Sequence, residues 1–383
     1  MSRPRVCFVT ATPLSLHAFL RDHIANLAQK FDVTAISSFS ADELTRGLLP
    51  NVRLVPCSIA RPIAPVADAR ALFALVRHFR AERYDAVHSI TPKAGLLAMT
   101  AARMTGVTHR IHCFTGQVWA TRKGSSRAIL KGADRLITAN ATRILADSHS
   151  QLEFLEGEGV VSRGGAAVLG RGSIAGVDLD RFRPDEETRW RIRDELGVPQ
   201  QACLLLFIGR VNRDKGVLDL AQAFARLTAA HEDVWLAMVG PDEANLSAEI
   251  VDASGNAAAR LLRVDYTATP EHYMAAADVL VLPSYREGFG NVVIEAAACG
   301  IPSVASRIYG LTDAVVDGAT GLLHPPRDIA ALTACLDRIC TDGLLRGRLG
   351  QNARQRVRES YSMQSVVDAM GVYYTELFGM ELK

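Results

Sequence analysis

"ADVLVLPSYREGFGNVVIEAAACGIPSVAS", residues 277–306, reads as strand, turn, helix and strand in immediate succession. "VLVLP" and "PSVAS" are short, apolar and bounded by breakers, the pattern of strands buried on both faces. Gly288 and Gly290 mark the turn, Asn291 is a good N-cap, and "VVIEAAACG" continues as an apolar helix. Two strands joined by one crossover helix lie parallel, so this segment predicts an α/β fold built on a parallel sheet.

The alternation extends in both directions. Before a polar, proline-bearing stretch, "GVDLDRFRPD" (176–185), strands are predicted at 5–11, 32–38, 86–90 and 109–116, with helices at 15–31, 70–85 and 93–106. "RILADSHSQLEFLEGEGV" (143–160) adds a strand, a Ser cap and a helix. After the polar stretch, "CLLLFIGR" (203–210), "VWLAMVG" (234–240), "RLLRVDY" (260–266) and "GLLHPP" (321–326) are further strands, and 217–231 is an amphipathic helix. Each half reads as a doubly wound parallel sheet, and 383 residues suffice for two domains of about 100–200 residues. Sites in such sheets lie at the carboxyl ends of the strands, where the strand order reverses. Two such ends are expected to face each other across a cleft.

Apolar residues make up 49% of the chain and charged residues 22%, as in soluble globular proteins. No apolar run approaches a membrane span, and the N-terminal "MSRPRVCFVTATPLSL" shows no secretory cleavage site. Seven cysteines, with no Cys-x-x-Cys pair, read as reduced thiols of a cytoplasmic protein rather than as disulfides or a zinc site. Through Asp178 there are 22 Lys and Arg against 13 Asp and Glu, a net +9; the remainder has 21 against 28, a net −7. The basic half calls for an anionic partner, a membrane surface or a phosphorylated acceptor. Nucleic acid is disfavoured, since no helix-turn-helix, zinc finger or RNA-stacking signature is present. "GRGSIAG" (170–176) has the wrong glycine spacing for a dinucleotide fingerprint, and there is no P-loop.

The glutamates of the opening segment then acquire a chemistry. A helix beginning near Asn291 presents backbone N–H groups of residues 290–293, and such a terminus attracts phosphate. Gly288 and Gly290 let the backbone approach a ligand. Glu287 sits in the turn and Glu295 about one helical turn beyond Asn291. A carboxylate only accepts hydrogen bonds, which suits sugar hydroxyls. The ligand suggested is a diphosphate flanked by hydroxylated rings, a sugar nucleotide; the competing reading makes Glu287 a cap and Glu295 a solvent-facing residue. "GRVNRDKG" (209–216) supplies Arg210 and Lys215 at the carboxyl edge of another strand, a fork and a point charge for phosphate.

These segments together, the E-x7-E of "REGFGNVVIE", "GRVNRDKG", "ADVLVLPS", "GIPSVAS" and "SIAGVDLDRF" (173–182), resemble the retaining glycosyltransferases of family 4, with the GT-B fold. The resemblance covers essentially the whole chain. "IHCFTGQVWATRKG" adds a likeness to bacterial enzymes that build O-antigen, capsule or other glycans on polyprenyl diphosphate. It implies two Rossmann-like domains facing across a cleft: 1–180 on the acceptor side, 181–360 for the donor, and 361–383 as a helix crossing back to the first. It implies a hexosyltransferase acting on a nucleoside-diphosphate sugar, with UDP-N-acetylhexosamine as the favoured donor. Glu287, Arg210 and Lys215 would be catalytic. Glu295 would hold the ribose, and Gly288, Phe289, Gly290, Asn291 and Val292 would complete the cradle through their backbone. No metal or other cofactor is expected, because Arg and Lys stand in for a cation.

Two positions depart from the family pattern. Pro13 and Ser15 replace a glycine pair after the first strand, and Thr115 stands where relatives place a histidine, with His112 three residues before it. Thr115 and Gly116 are taken for the donor side, and Ser15, His17 and His112 for the acceptor side. The stretch 110–143 holds seven Lys and Arg against the single acid Asp134, together with Trp119, Ile129, Leu130, Leu136 and Ile137. It is expected to dock the protein peripherally on an anionic membrane, beside a polyprenyl-diphosphate-linked acceptor. A glycosidase is disfavoured because it needs no Arg–Lys phosphate site. A sugar-nucleotide epimerase would be expected to lack the paired glutamates, and a non-catalytic nucleotide-sugar binder stays open.

Overall fold

Strands form where the apolar runs are continuous, and helices cover both faces of the sheets they make. The computed structural model describes residues 3–46, 49, 51–60 and 62–381. The outermost positions of the two expected end segments, 1–2 and 382–383, lie outside the described residues. The chain divides into two compact units, 1–176 with 363–383, and 177–362.

The first unit has seven parallel strands: β1 (Arg5–Val9), β2 (Asp32–Ser37), β3 (Arg53–Pro56), β4 (Ala86–Ile90), β5 (His109–Phe114), β6 (Arg143–Ala146) and β7 (Ala167–Val168). Their order is β3-β2-β1-β4-β5-β6-β7, so the direction of winding reverses between β1 and β4. The helix Met363–Leu377 belongs to this unit and packs on the helix Arg21–Leu27. Its Tyr374 is fully buried against Phe8 and Phe31, and its hydroxyl lies 2.9 Å from His88 Nδ1 on β4.

The second unit has β8 (Cys203–Ile208), β9 (Val234–Val239), β10 (Leu261–Val264), β11 (Val279–Leu282), β12 (Ser303–Ser306) and β13 (Gly321–His324), all parallel, in the order β10-β9-β8-β11-β12-β13. Reversal falls between β8 and β11. At the amino-terminal edge, buried Arg193 bonds Asp278 at 2.6 Å, and the same carboxylate accepts the Leu204 N–H. That ion pair fastens β8 to the chain entering β11, away from the carboxyl edge where a ligand binds.

Each half is thus the doubly wound α/β sheet that its strand pattern predicts. Two local readings change. The helix expected over 15–31 is two helices, Pro13–Phe19 and Arg21–Leu27, interrupted at Leu20, where φ is −123°. Leu16, Leu20, Ile24 and Leu27 keep one buried face throughout, so the apolar spacing survives the break. The helix of the opening segment runs Asn291–Ala298, but its N-cap is Gly290, in the left-handed region at φ 86°; Asn291 is the first helical residue. A β-carbon at position 290 would meet Leu311 Cδ2 at 2.5 Å, so backbone freedom and space select glycine there over a side-chain cap.

Candidate active site

The reversal point of the second sheet is built by two loops, 209–216 after β8 and 283–290 after β11. Gly216 explains how they meet. It lies at φ 65°, and a β-carbon on it would fall 2.1 Å from Pro283 O, so only glycine permits this approach. The preceding turn, Arg213–Lys215, then delivers Lys215 to the β11 loop. Lys215 Nζ donates to Glu287 Oε1 at 2.5 Å, and Ser284 Oγ donates to the same oxygen at 2.8 Å. Both members of the pair are largely shielded, their side chains 20% and 13% exposed. No other described residue bonds to Glu287 Oε2, which stays available as an acceptor.

The turn that carries Glu287 is anchored by its neighbour. Phe289 is buried against Tyr361, with ring centroids 5.3 Å apart, so it contributes backbone to the turn while its side chain belongs to the core. A β-carbon at Gly310 would lie 2.4 Å from Gly288 O, so the next loop also presses on this turn. Gly288, Gly290, Asn291 and Val292 follow at the helix entrance.

Glu295 lies one turn into that helix. Burial pushes its carboxyl up to about 7; Arg181 pulls it down and Glu271 adds to the rise. Arg181 is itself held by Glu271 at 2.8 Å and by Ala268 O at 2.9 Å. Arg210 does not join the Lys215–Glu287 pair: its guanidinium bonds Glu243 at 3.0 Å in the loop after β9, and it is half exposed. Arg210 and Lys215, expected to converge on one point, instead pair with different glutamates, Glu243 and Glu287. Ser284, Arg181, Glu271 and Glu243 escaped the sequence reading. Ser284 stands inside the opening segment, one residue past its first strand, whereas the acidic and basic partners come from distant segments with no shared spacing.

In the first unit, Ser15 sits in the first turn of the helix Pro13–Phe19 after β1, where Thr12 caps its N–H; His17 lies in the last turn. Thr115 and Gly116 follow directly on β5, with Gly116 at φ 129°. His112 is a correction to the acceptor assignment. It is 1% exposed, bonds Ser89 at 2.9 Å and packs edge-on against Phe114. Burial holds it down at about 3, so it is a neutral core histidine, and a β-carbon on Gly95 would strike its ring at 2.3 Å. At the reversal point, Thr91 adopts φ 75° and ψ 141°, a conformation costly for a β-branched residue, and its buried hydroxyl has no partner among the described residues. Nothing in the sequence signals this strain.

The basic stretch is also altered. Arg127 and Lys131 bond Glu158 at 2.8 and 2.6 Å and stack over Trp119, which is buried and donates to Asp134 at 2.7 Å. Arg122 and Lys123 remain exposed. Among the described residues there is no cluster of metal-ligating side chains and no helix long and apolar enough to cross a membrane.

Residues 188–356 match the family described as Glycosyl transferases group 1, and residues 17–172 the Glycosyl transferase 4-like domain. A D-inositol 3-phosphate glycosyltransferase of Thermobifida fusca is 31% identical over 85% of this chain and 81% of its own. The chain belongs to the group 1 glycosyltransferases. The capsular polysaccharide biosynthesis glycosyltransferase CapM of Staphylococcus aureus is 29% identical over 93% of each chain. The UDP-Gal:alpha-D-GlcNAc-diphosphoundecaprenol alpha-1,3-galactosyltransferase of Escherichia coli is 26% identical over 91% of this chain and 90% of that one. Among solved structures, sucrose-phosphate synthase from Thermosynechococcus elongatus superposes with a TM-score of 0.81 at 23% identity, covering 98% of this glycosyltransferase and all of that chain. The fold is GT-B, two parallel-sheet Rossmann-like units.

Proposed function

We propose that this glycosyltransferase moves a sugar, with retention of anomeric configuration, from a nucleoside-diphosphate sugar to a lipid-linked saccharide during assembly of a bacterial surface polysaccharide. The carrying observation is the Lys215–Glu287 pair at the reversal point between β8 and β11. Donor binding places the diphosphate against Lys215, against Arg210 swung from Glu243, and against the entrance of the helix Asn291–Ala298. There these groups take up the negative charge that develops on the leaving nucleotide. Glu287, released by Lys215 toward the ligand and steadied by Ser284, accepts hydrogen bonds from the donor sugar. Glu295 accepts from the ribose hydroxyls, which favours its ionised form. A phosphate site made of Lys, Arg and backbone needs no divalent metal, and residues 1–180 receive the acceptor. The names of the Staphylococcus and Escherichia relatives support the polymer class, and that of the Escherichia relative a polyprenyl-diphosphate carrier and a UDP-linked donor, galactose in that protein. A UDP-linked N-acetylhexosamine stays the preferred donor for this chain on the sequence resemblance alone.

The test incubates the purified protein with a panel of UDP, GDP and ADP sugars, with and without polyprenyl-diphosphate-linked saccharide and in the presence of EDTA. Acceptor-dependent nucleotide release that persists in chelator, with an anomeric proton coupling matching the donor, is the expected result. Release that never depends on an acceptor, or a product of inverted configuration, overturns it.

A further inference from the structure

The helix Pro65–Glu82 turns an unusual face outward. Its inner face is apolar and buried through Ala71, Leu75, Val76 and Phe79. Its outer face carries Val66, Ala69, Arg70, Phe73, Arg77 and Arg80, spaced i, i+3, i+4, i+7, i+11 and i+14, a single stripe along the helix. Val66 is 66% exposed, Phe73 71%, and Ile63 in the turn before the helix 73%. Large apolar side chains aligned in the open mark a surface that is covered in use.

Charge selects what covers it. Arg70, Arg77 and Arg80 are exposed, and no described residue bonds or pairs with any of them. The two acids of the helix face elsewhere: Asp68 pairs with Lys93 at 2.6 Å, and Glu82 is taken by Arg5 and by Arg53 at 2.9 Å. The outer stripe is apolar at its start, basic beyond and free of acid, the pattern of a helix lying in the headgroup region of an anionic leaflet. The helix Gly124–Asn140, by contrast, spends Arg127 and Lys131 on Glu158.

Position supports the same occupant. The turn holding Ile63 follows β3, and Lys93, in the first turn of the helix after β4, donates to Pro62 O. The apolar end of the stripe is thereby tied to the carboxyl edge of the first sheet, beside its reversal point. Leu14, 74% exposed after β1, lies along this same edge.

We propose that Ile63 and the outer face of the helix Pro65–Glu82 dock on an anionic lipid bilayer, setting the carboxyl edge of the first sheet at the membrane surface. The purpose of the docking rests on the lipid-linked acceptor proposed above; the docking itself does not. The test is co-sedimentation with vesicles of phosphatidylglycerol and phosphatidylcholine in equal parts. The wild type should bind at low salt, and progressively less as salt rises. Replacing Arg70, Arg77 and Arg80 together by Ala should weaken partition about a hundred-fold. Val66→Ser with Phe73→Ser, at exposed sites that the fold does not need, should weaken it at least ten-fold, including at high salt. Arg122→Ala with Lys123→Ala should change it less than about two-fold. Nucleotide release with a water-soluble acceptor should be unchanged in all these variants. A wild type that ignores the vesicles, a helix variant that binds as well as wild type, or loss confined to the Arg122 and Lys123 variant overturns the proposal. Loss of vesicle binding in the helix variants, beside a wild type that transfers to no lipid-linked acceptor, leaves the docking standing and defeats the proposed function instead.

Discussion

The two sheets reverse direction in the same way, yet their reversal points are chemically opposite. Between β8 and β11, two loops are pressed together by Gly216 against Pro283, and the shielded result is an ion pair with a spare carboxylate oxygen. Between β1 and β4, the two strand histidines are withdrawn into the core: His88 is bonded to Tyr374 and His112 to Ser89, while Thr91, just past β4, is held in a strained conformation. A doubly wound sheet offers a site only where its loops present unspent polar groups. The second unit concentrates them, and the first has spent His88 and His112 on packing.

The largest effect that would sharpen this contrast is on turnover. Lys215→Ala should lower kcat by about 100- to 1,000-fold, as expected when one preorganised charge donor, worth about 3–4 kcal/mol, is lost. Circular dichroism and thermal melting should show the fold intact. Near-normal turnover in a folded variant would remove the second unit's claim to the chemistry.

The matching change in the first unit should act on stability instead. His112→Ala leaves a cavity and an unpaired Ser89 hydroxyl, at a cost of about 2–4 kcal/mol in denaturant unfolding, while kcat per folded molecule stays near wild type. A large fall in kcat with unchanged stability would restore His112 to the site and break the comparison.

Gly216→Ala tests how the two loops meet. The left-handed backbone and the clash with Pro283 O should destabilise the protein by about 2 kcal/mol or raise the donor KM several-fold as the loops part. A variant that matches wild type in both unfolding and steady-state kinetics would show that close approach of the loops is dispensable.

The smallest effect concerns pH. Glu295 is raised to about 7 in the folded chain, with burial the chief cause. Below about pH 4.5 its carboxyl is neutral whether folded or not. As pH rises from there to about 7 the unfolded chain loses the proton first, so folded stability declines across that window. Partial access to water keeps the decline at about 1–2 kcal/mol, and Glu295→Gln should abolish it. On the proposed ribose contact, which calls for the ionised carboxylate, wild-type KM should climb below pH 7 while the KM of the Gln variant stays level. Parallel KM profiles for the two proteins would free Glu295 of its ribose role.

Much of this architecture was readable because strand burial writes itself into composition. "CLLLFI" and "VLVL" are buried at every position, so their apolar runs announced parallel strands, and the glycines at 288 and 290 announced where backbone must turn or approach closely. That Glu287 and Lys215 stand at a carboxyl edge was legible for the same reason: each lies in the loop that follows such a strand. Arg181, Glu271 and Glu243 were not, since Arg181 and Glu243 stand in loops and Glu271 in the first turn of the helix Pro270–Ala276, and the position of each depends on the packing of other elements. His112 misled because an alternating strand gives a histidine equal standing on either face, and burial beneath the helix Pro92–Met104 is a property of the assembled unit.

Sequence alone therefore determined what depends on local chain chemistry: strands, crossover helices, the order of the loops and the acidic and basic residues that end up at a carboxyl edge. Tertiary structure decided which of those charges meet and which are spent elsewhere. It joined Lys215 to Glu287, turned Arg210 to Glu243, and closed Arg127 and Lys131 on Glu158. It left Arg70, Arg77 and Arg80 open beside Phe73. The physical reason is range. Backbone geometry and apolar periodicity act over a few residues, whereas an ion pair forms only between groups brought within about 4 Å, and that distance is set by the packing of the whole unit.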